Sequence, residues 1–291
     1  MKFMAVIMLL LAFMSPTRPS QAQSRAAACQ PAGSLTALPG LSEASGLAAS
    51  RRVDGRLWSH NDSGEPVLFA LDAHGKIAGR VQVAGAKVQD WEAIAVGPCG
   101  SGSCLYVGDI GDNEAERNRI TIYRVPEPEG ASGSAKVDAV FHATYPDGRH
   151  DAETLLVDGD GRLYIVTKGE TGPVALYRFP SPLQAGTSMR LERVGASSSG
   201  GRAGASRITD GTVSPDGQWV VLRTRTGLSY YRASELFAGQ WRVATRVDLT
   251  TLKETQGEGV ALGGDNTVFL AGEGGGKSQP GTFARFTCAP S

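Results

Sequence analysis

The chain has 291 residues, and its 29 Lys and Arg balance its 29 Asp and Glu to a formal net charge of zero. That balance excludes a long-range field drawing in nucleic acid or an anionic membrane surface. Glycine is abundant, at 38 residues. Apolar runs are short, turn signals separate them, and helix-periodic stretches are nearly absent, which is the pattern of an all-β chain.

In chain order, Lys2 precedes an apolar run from Phe3 to Met14, then Pro16 and the small-x-small triplet Ser20-Gln21-Ala22. This predicts a secretory signal peptide over residues 1–22, because the apolar core is too short to span a membrane. A rival reading makes Ala26-Ala27-Ala28-Cys29 a lipidation box, although Cys29 lies well beyond the apolar core. Cleavage leaves residues 23–291 as a single domain in the periplasm or outside the cell, expected to be a monomer. Its four cysteines are Cys29, Cys99, Cys104 and Cys288. An even count in an exported chain predicts two disulfides. Cys99 and Cys104 flank a short loop, which leaves Cys29 to pair with Cys288 and brings the ends of the mature chain together.

Five copies of one unit follow, each opening with a column residue and an apolar strand. The openings fall at Ser45, Glu92, Glu153, Asp210 and Glu258. A tight turn usually comes next, then a second strand ("LWSHN", "LYVGD", "LYIVT", "WVVLR", "VFLAG"), a polar loop and a third strand. A fourth strand appears in four copies ("IAGRVQV", "VDAVFHATY", "MRLERV", "WRVATRVDL"). The fifth copy stops after three, at Cys288, and residues 33–38 just past Cys29 can supply the missing strand. Four strands per unit at a repeat of about fifty residues predict a β-propeller, here of five blades, closed by an N-terminal strand in the last blade. The stretches 129–135 and 197–206 read as inter-strand loops.

In such a ring the first strand of each blade lines the central channel, so the five column residues converge on the axis. Carboxylates about 6 Å apart at an effective dielectric near 20 repel by roughly 3 kcal/mol per adjacent pair. A hard divalent cation with oxygen ligands offsets this, and five protein oxygens plus water suit Ca²⁺. The alternatives are that Lys168 and Arg223, after the second strands of blades three and four, neutralise the acids as ion pairs, or that some carboxyls are protonated.

The blade-opening motifs "SGLA", "EAIAV", "ETLL" and "EGVAL", with "LYVGDIG" after the second, resemble those of the soluble calcium-activated nucleotidases, the secreted apyrases. The resemblance implies a five-bladed propeller with Ca²⁺ on the axis and one Ser or Glu oxygen per blade. Carried onto this sequence, the ligands are Ser45, Glu92, Glu153 and Glu258, with Asp210 where those proteins use Ser.

More polar residues gather at the same face. Glu43, Asp90 and Asp151 lie two positions before the column, where blades four and five have Ile208 and Gln256. The loops after the second strands add His60, Asn61, Asp62, Asp109, Asp112, Lys168, Arg223, Arg225, Glu273 and Lys277. Acids on one side and bases on the other suit a small anionic substrate bridged by a cation, such as a phosphoester. Asp62, Asp151 or His150 would then handle protons, with Lys168 and Arg223 meeting the anion. Two other functions fit the same features, a non-enzymatic binding module with structural Ca²⁺ and a glycoside hydrolase. "AGEGGGKS" (271–278) satisfies a relaxed phosphate-loop pattern, but Pro280-Gly281 and a strand follow where a helix is required.

Overall fold

The computed structural model describes residue 29 and residues 34–170, 172–197 and 207–288. The expected signal peptide, its cleavage point and the lipidation box up to Ala28 lie outside the described residues.

The chain enters with β1 (Thr36–Leu38) and then builds blade one from β2 (Ala44–Ala49), β3 (Leu57–Asn61), β4 (Val67–Leu71) and β5 (Ile77–Ala84). Blade two holds β6 (Trp91–Cys99), β7 (Gly102–Asp109) and β8 (Ile120–Pro126). The chain then crosses back as β9 (Gly133–Lys136), which adds to blade one alongside β5 in parallel, and returns as β10 (Ala139–Thr144) to complete blade two. Blade three is β11 (Ala152–Val157), β12 (Leu163–Thr167), β13 (Ala175–Arg178) and β15 (Glu192–Ala196), while β14 (Ser188–Arg190) lies parallel to β10 on blade two. Blade four comprises β16 (Ile208–Val213), β17 (Trp219–Thr224), β18 (Gly227–Arg232), a four-residue helix α1 (Ala233–Leu236) and β19 (Val243–Asp248). Blade five is β20 (Gln256–Leu262), β21 (Thr267–Glu273) and β22 (Gly281–Thr287), closed by β1.

The chain is therefore an all-β, five-bladed propeller. Closure is as the missing strand requires: Thr36 and Leu38 lie opposite Phe283 and Gly281. Both disulfides form, Cys29–Cys288 at the seam and Cys99–Cys104 across the β6–β7 hairpin. Two details depart from the sequence reading. Residues 133–136, expected in a loop, make β9, and the single strand expected over "MRLERV" splits into β14 and β15 on different blades. In both places the chain laces a blade to its predecessor. The relaxed phosphate-loop match joins β21 directly to β22 with no helix.

Five hydrophobic clusters fill the five interfaces between neighbouring blades. Leu155 packs in the cluster shared with blade two and Leu156 in the one shared with blade four. Successive strand residues point to opposite faces, and here both faces are covered, so the inner strands read as unbroken apolar runs. Their polar openings stand out for that reason.

Candidate functional site

The inner strands share a β-bulge at their openings. Pairing between first and second strands skips a residue at Glu92 in blade two, Glu153 in blade three and Thr209 in blade four, and shifts between Ser45 and Leu47 in blade one and across Glu258 in blade five. A bulge leaves one residue unpaired and re-aims its side chain, which turns Glu92, Glu153 and Glu258 into the axial mouth. Counting back from the turn that ends each inner strand gives one column of Ser45, Glu92, Glu153, Thr209 and Glu258. Asp210 stands one residue further along its strand, level with Gly46, Ala93, Thr154 and Gly259.

That single step gives Asp210 a different neighbourhood. Its Oδ2 accepts hydrogen bonds from the backbone N–H of Leu47 (3.2 Å) and of Val260 (2.8 Å), tying blade four to blades one and five across the axis. Glycine is needed beside it. A Cβ on Gly259 would come within 2.9 Å of the Gly46 carbonyl carbon and of Leu47 Cβ, and one on Gly46, whose φ is +53°, within 2.8 Å of Ile94 N. Asp210 is fully buried, and burial pushes its carboxyl well above the ordinary range. It forms the floor under the mouth, and it does not line the cavity.

The mouth is a cavity of about 320 Å³. Six acids line it (Asp62, Glu92, Glu153, Glu170, Glu258 and Glu273) against three bases (Lys168, Arg207 and Arg225). Asn113, Thr209 and Gln256 complete the wall. Glu92, Glu153 and Glu258 are each buried. Ser45 does not line the cavity, but its Oγ donates to Glu92 Oε2 at 2.9 Å. Lys168 forms ion pairs with Glu153 and with Asp151 (3.1 Å) and donates to Asn113 Oδ1 at 3.1 Å. Burial works against the lysine's charge, but Glu153 and Asp151 outweigh it and hold Nζ above the ordinary lysine value.

One lysine does not balance this cluster. Burial, reinforced by neighbouring carboxylates, pushes Glu258 up to about 8 and Glu273 up to about 7. Glu153 rises to about 7, where burial prevails over the opposing field of Lys168. Asp62 rises to about 6, again from burial first and Glu43 second, and its Oδ1 is buried without a hydrogen-bond partner. Among the described residues no three His, Cys, Asp or Glu side chains already stand in metal-binding geometry.

The remaining sequence candidates separate. Asp62 and Lys168 line the mouth. Asp151 sits just behind it, with Oδ1 accepting from the Asp112 N–H at 2.8 Å. His150 is engaged elsewhere: Nε2 lies 3.0 Å from both Asp147 Oδ1 and the Tyr177 hydroxyl. Arg223 is fully buried between blades four and five, donating to the carbonyls of Gly259 and Ala271 and pairing with buried Glu254. It fastens two blades and does not reach the mouth. Asp109 and Asp112 are also spent on structure, accepting from the backbone of Gln89 and Asp90 and of Glu116 and Arg117 respectively. Sequence reasoning did not single out Thr209, Arg207, Asn113 or Glu170. Aligning blade four on its turn, rather than acid to acid, would have found the first two.

No protein-family model matches the chain, and no curated protein matches it. Solved structures similar to it include hydrazine synthase from Kuenenia stuttgartiensis, at 16% identity and a TM-score of 0.42, covering 81% of this chain and 57% of that one. Another is the PQQ-bound aldose sugar dehydrogenase from Streptomyces coelicolor, at 14% identity and 0.49, covering 89% of this chain and 100% of that one. A third is virginiamycin B lyase from Staphylococcus aureus, at 11% identity and 0.41, covering 87% and 73%. Likenesses at this level carry no information on activity.

Proposed function

We propose that the axial mouth binds a divalent cation, Ca²⁺, through Glu92, Glu153 and Glu258, and that the protein uses it to hydrolyse a small anionic substrate of the phosphoester class. The observation that carries this is the crowding of six acids against three bases in one cavity, three of the acids being buried glutamates from three different blades. Burying carboxylates without a counter-charge is unfavourable, and a cation with hard oxygen ligands relieves it. The donor set fits such an ion, being all oxygen, with Asp62 Oδ1 buried beside it and lacking a hydrogen-bond partner. The motif resemblance to calcium-activated nucleotidases supports the same assignment. Asp210 serves as the floor in this reading, and Ser45 orients Glu92.

When bound, Ca²⁺ supplies a Lewis acid that polarises a phosphoryl oxygen. Lys168, Arg207 and Arg225 face the substrate's remaining charge. Asp62, titrating near 6 with a free oxygen, is placed to take the proton from an attacking water. The first 22 residues act as a signal peptide in this account, and the protein works in the periplasm or outside the cell. Two disulfides accord with that compartment, and among the described residues no helix is long and apolar enough to cross a membrane.

One observation favours a second reading, a binding module without catalysis: Lys168 already neutralises Glu153 and Asp151 in place. Phosphate release from glycerol phosphate and other phosphoesters, followed with Ca²⁺ and with chelator, separates the two. The hydrolase reading requires release that depends on Ca²⁺ and is lost in Glu153→Gln while the fold persists. Ca²⁺ binding without release would leave the binding module.

A further inference from the structure

Among the described residues, the lining of the mouth contains no aromatic ring and no wholly aliphatic side chain. Small-molecule sites are ordinarily lined in the main by hydrophobic and aromatic groups, so this composition restricts what can bind. From it we infer that the substrate is a small, wholly hydrophilic phosphate ester of the polyol phosphate kind, and not a nucleotide. The inference rests on the cation site proposed above and narrows its ligand.

The nearby rings are committed elsewhere. Trp91 is fully buried, donates from its indole to the Lys87 carbonyl at 2.9 Å and packs edge-on against His60. Tyr145, His150 and Tyr177 pack against one another, with Tyr177 and His150 turned to Asp147. Residues 198–206, which lead into Arg207 and lie outside the described residues, are Ser, Gly, Arg and Ala alone. Stacking on an aromatic ring strengthens the binding of a base by roughly tenfold to a hundredfold, and among the described residues the mouth has no ring with which to provide it. A cavity of about 320 Å³ is also at the small end of ligand sites.

What the walls do offer suits hydroxyls and phosphate. Asn113 and Gln256 each carry an amide donor and acceptor, and Thr209 a hydroxyl. Exposed Arg225, just past β17 of blade four, lines the mouth with a planar fork matched to phosphate oxygens. Phosphate thus meets Arg225 and Lys168 while the polyol meets the neutral side chains.

The test compares two monoesters of equal charge, glycerol 3-phosphate and AMP, by calorimetric titration of the full mature protein, with Ca²⁺ binding measured separately first. Glycerol 3-phosphate should bind at least as tightly as AMP. Arg225→Gln should weaken glycerol 3-phosphate about tenfold and leave Ca²⁺ affinity unchanged. Asn113→Trp, which adds a ring at an exposed position, should raise AMP affinity about tenfold. AMP binding ten times tighter than glycerol 3-phosphate in the native protein would overturn the inference. So would failure of both esters to bind a protein that takes up Ca²⁺, although the cation site would then stand. Absence of Ca²⁺ binding would remove the site and the inference together.

Discussion

Arg223→Gln is predicted to destabilise the ring at its blade-four to blade-five junction without removing any group that lines the mouth. The arginine and its partner Glu254 have side chains 0% and 2% exposed, so the pair is fully desolvated. Removing one member of such a pair costs about 3–5 kcal/mol, because the survivor is left as an uncompensated buried charge. The carbonyls of Gly259 and Ala271 also lose their donor, at about 1–3 kcal/mol each when nothing replaces it. These losses overlap, since the glutamine amide recovers part of the bonding, and we expect a net destabilisation of about 4 kcal/mol. For a domain of this size that corresponds to roughly 10 °C in melting temperature. Urea titration followed by tryptophan fluorescence, in chelator and with both disulfides intact, reads the effect directly. Arg223→Met combined with Glu254→Leu should be milder than either single change, because no lone charge remains. A loss below about 1 kcal/mol would refute the clamp. Native stability with weakened binding of an anionic ligand would instead return Arg223 to the mouth.

Glu153→Gln should lower Ca²⁺ affinity by at least tenfold and shrink the thermal gain on adding the ion, whereas Glu116→Gln, on an exposed loop, should change neither when both are followed by calorimetry and thermal melting. Asp62, Glu153, Glu273 and Glu258 titrate at about 6, 7, 7 and 8 in the fold, above the roughly 4 of the unfolded chain. The folded state therefore holds more protons between about pH 4 and 8, so the contribution of these carboxyls to metal-free stability is fully present at the low end and is lost as pH rises through that interval. Melting in chelator should fall from pH 5 to 8, saturating Ca²⁺ should flatten that fall, and a melting temperature that rises with pH in chelator would refute the proton-loaded cluster. The Cys29–Cys288 bond closes a sequence separation of 259 residues. Cys29→Ser with Cys288→Ser should cost about 5–6 kcal/mol in a chain-entropy account, against about 2 for the short Cys99–Cys104 loop, as checked by urea titration.

The repeat was legible because a propeller blade writes its four strands into the chain in order, with a turn at a fixed place. The seam was legible because the last blade visibly lacked a strand that residues near Cys29 could supply. What the sequence hid was register. Matching acid to acid put Asp210 in the column, whereas the backbone, counted from the turn at Ser214, puts Thr209 there. A one-residue bulge thus decides whether a carboxylate faces the mouth or caps two amides beneath it. Side-chain reach was hidden as well. The sequence reading places Lys168 and Arg223 in the loops after the second strands of adjacent blades, yet Lys168, just past β12, meets the axial acids, whereas Arg223 lies within β17 and pairs with Glu254, whose place beside it depends on the fold of the blade-four to blade-five connection. His150, adjacent in sequence to Asp151, is claimed by Asp147 and Tyr177.

Calorimetric titration of the chelator-stripped mature protein with Ca²⁺ at pH 7.5, alongside Glu153→Gln and Glu258→Gln, tests the axial cation site most directly. The account predicts saturable binding of Ca²⁺ in the native protein, a matching rise in melting temperature because the ion binds only the folded ring, and loss of both in the two variants. No heat of binding and an unmoved melting temperature at millimolar Ca²⁺ would contradict it, leaving protons and Lys168 as the partners of the axial glutamates.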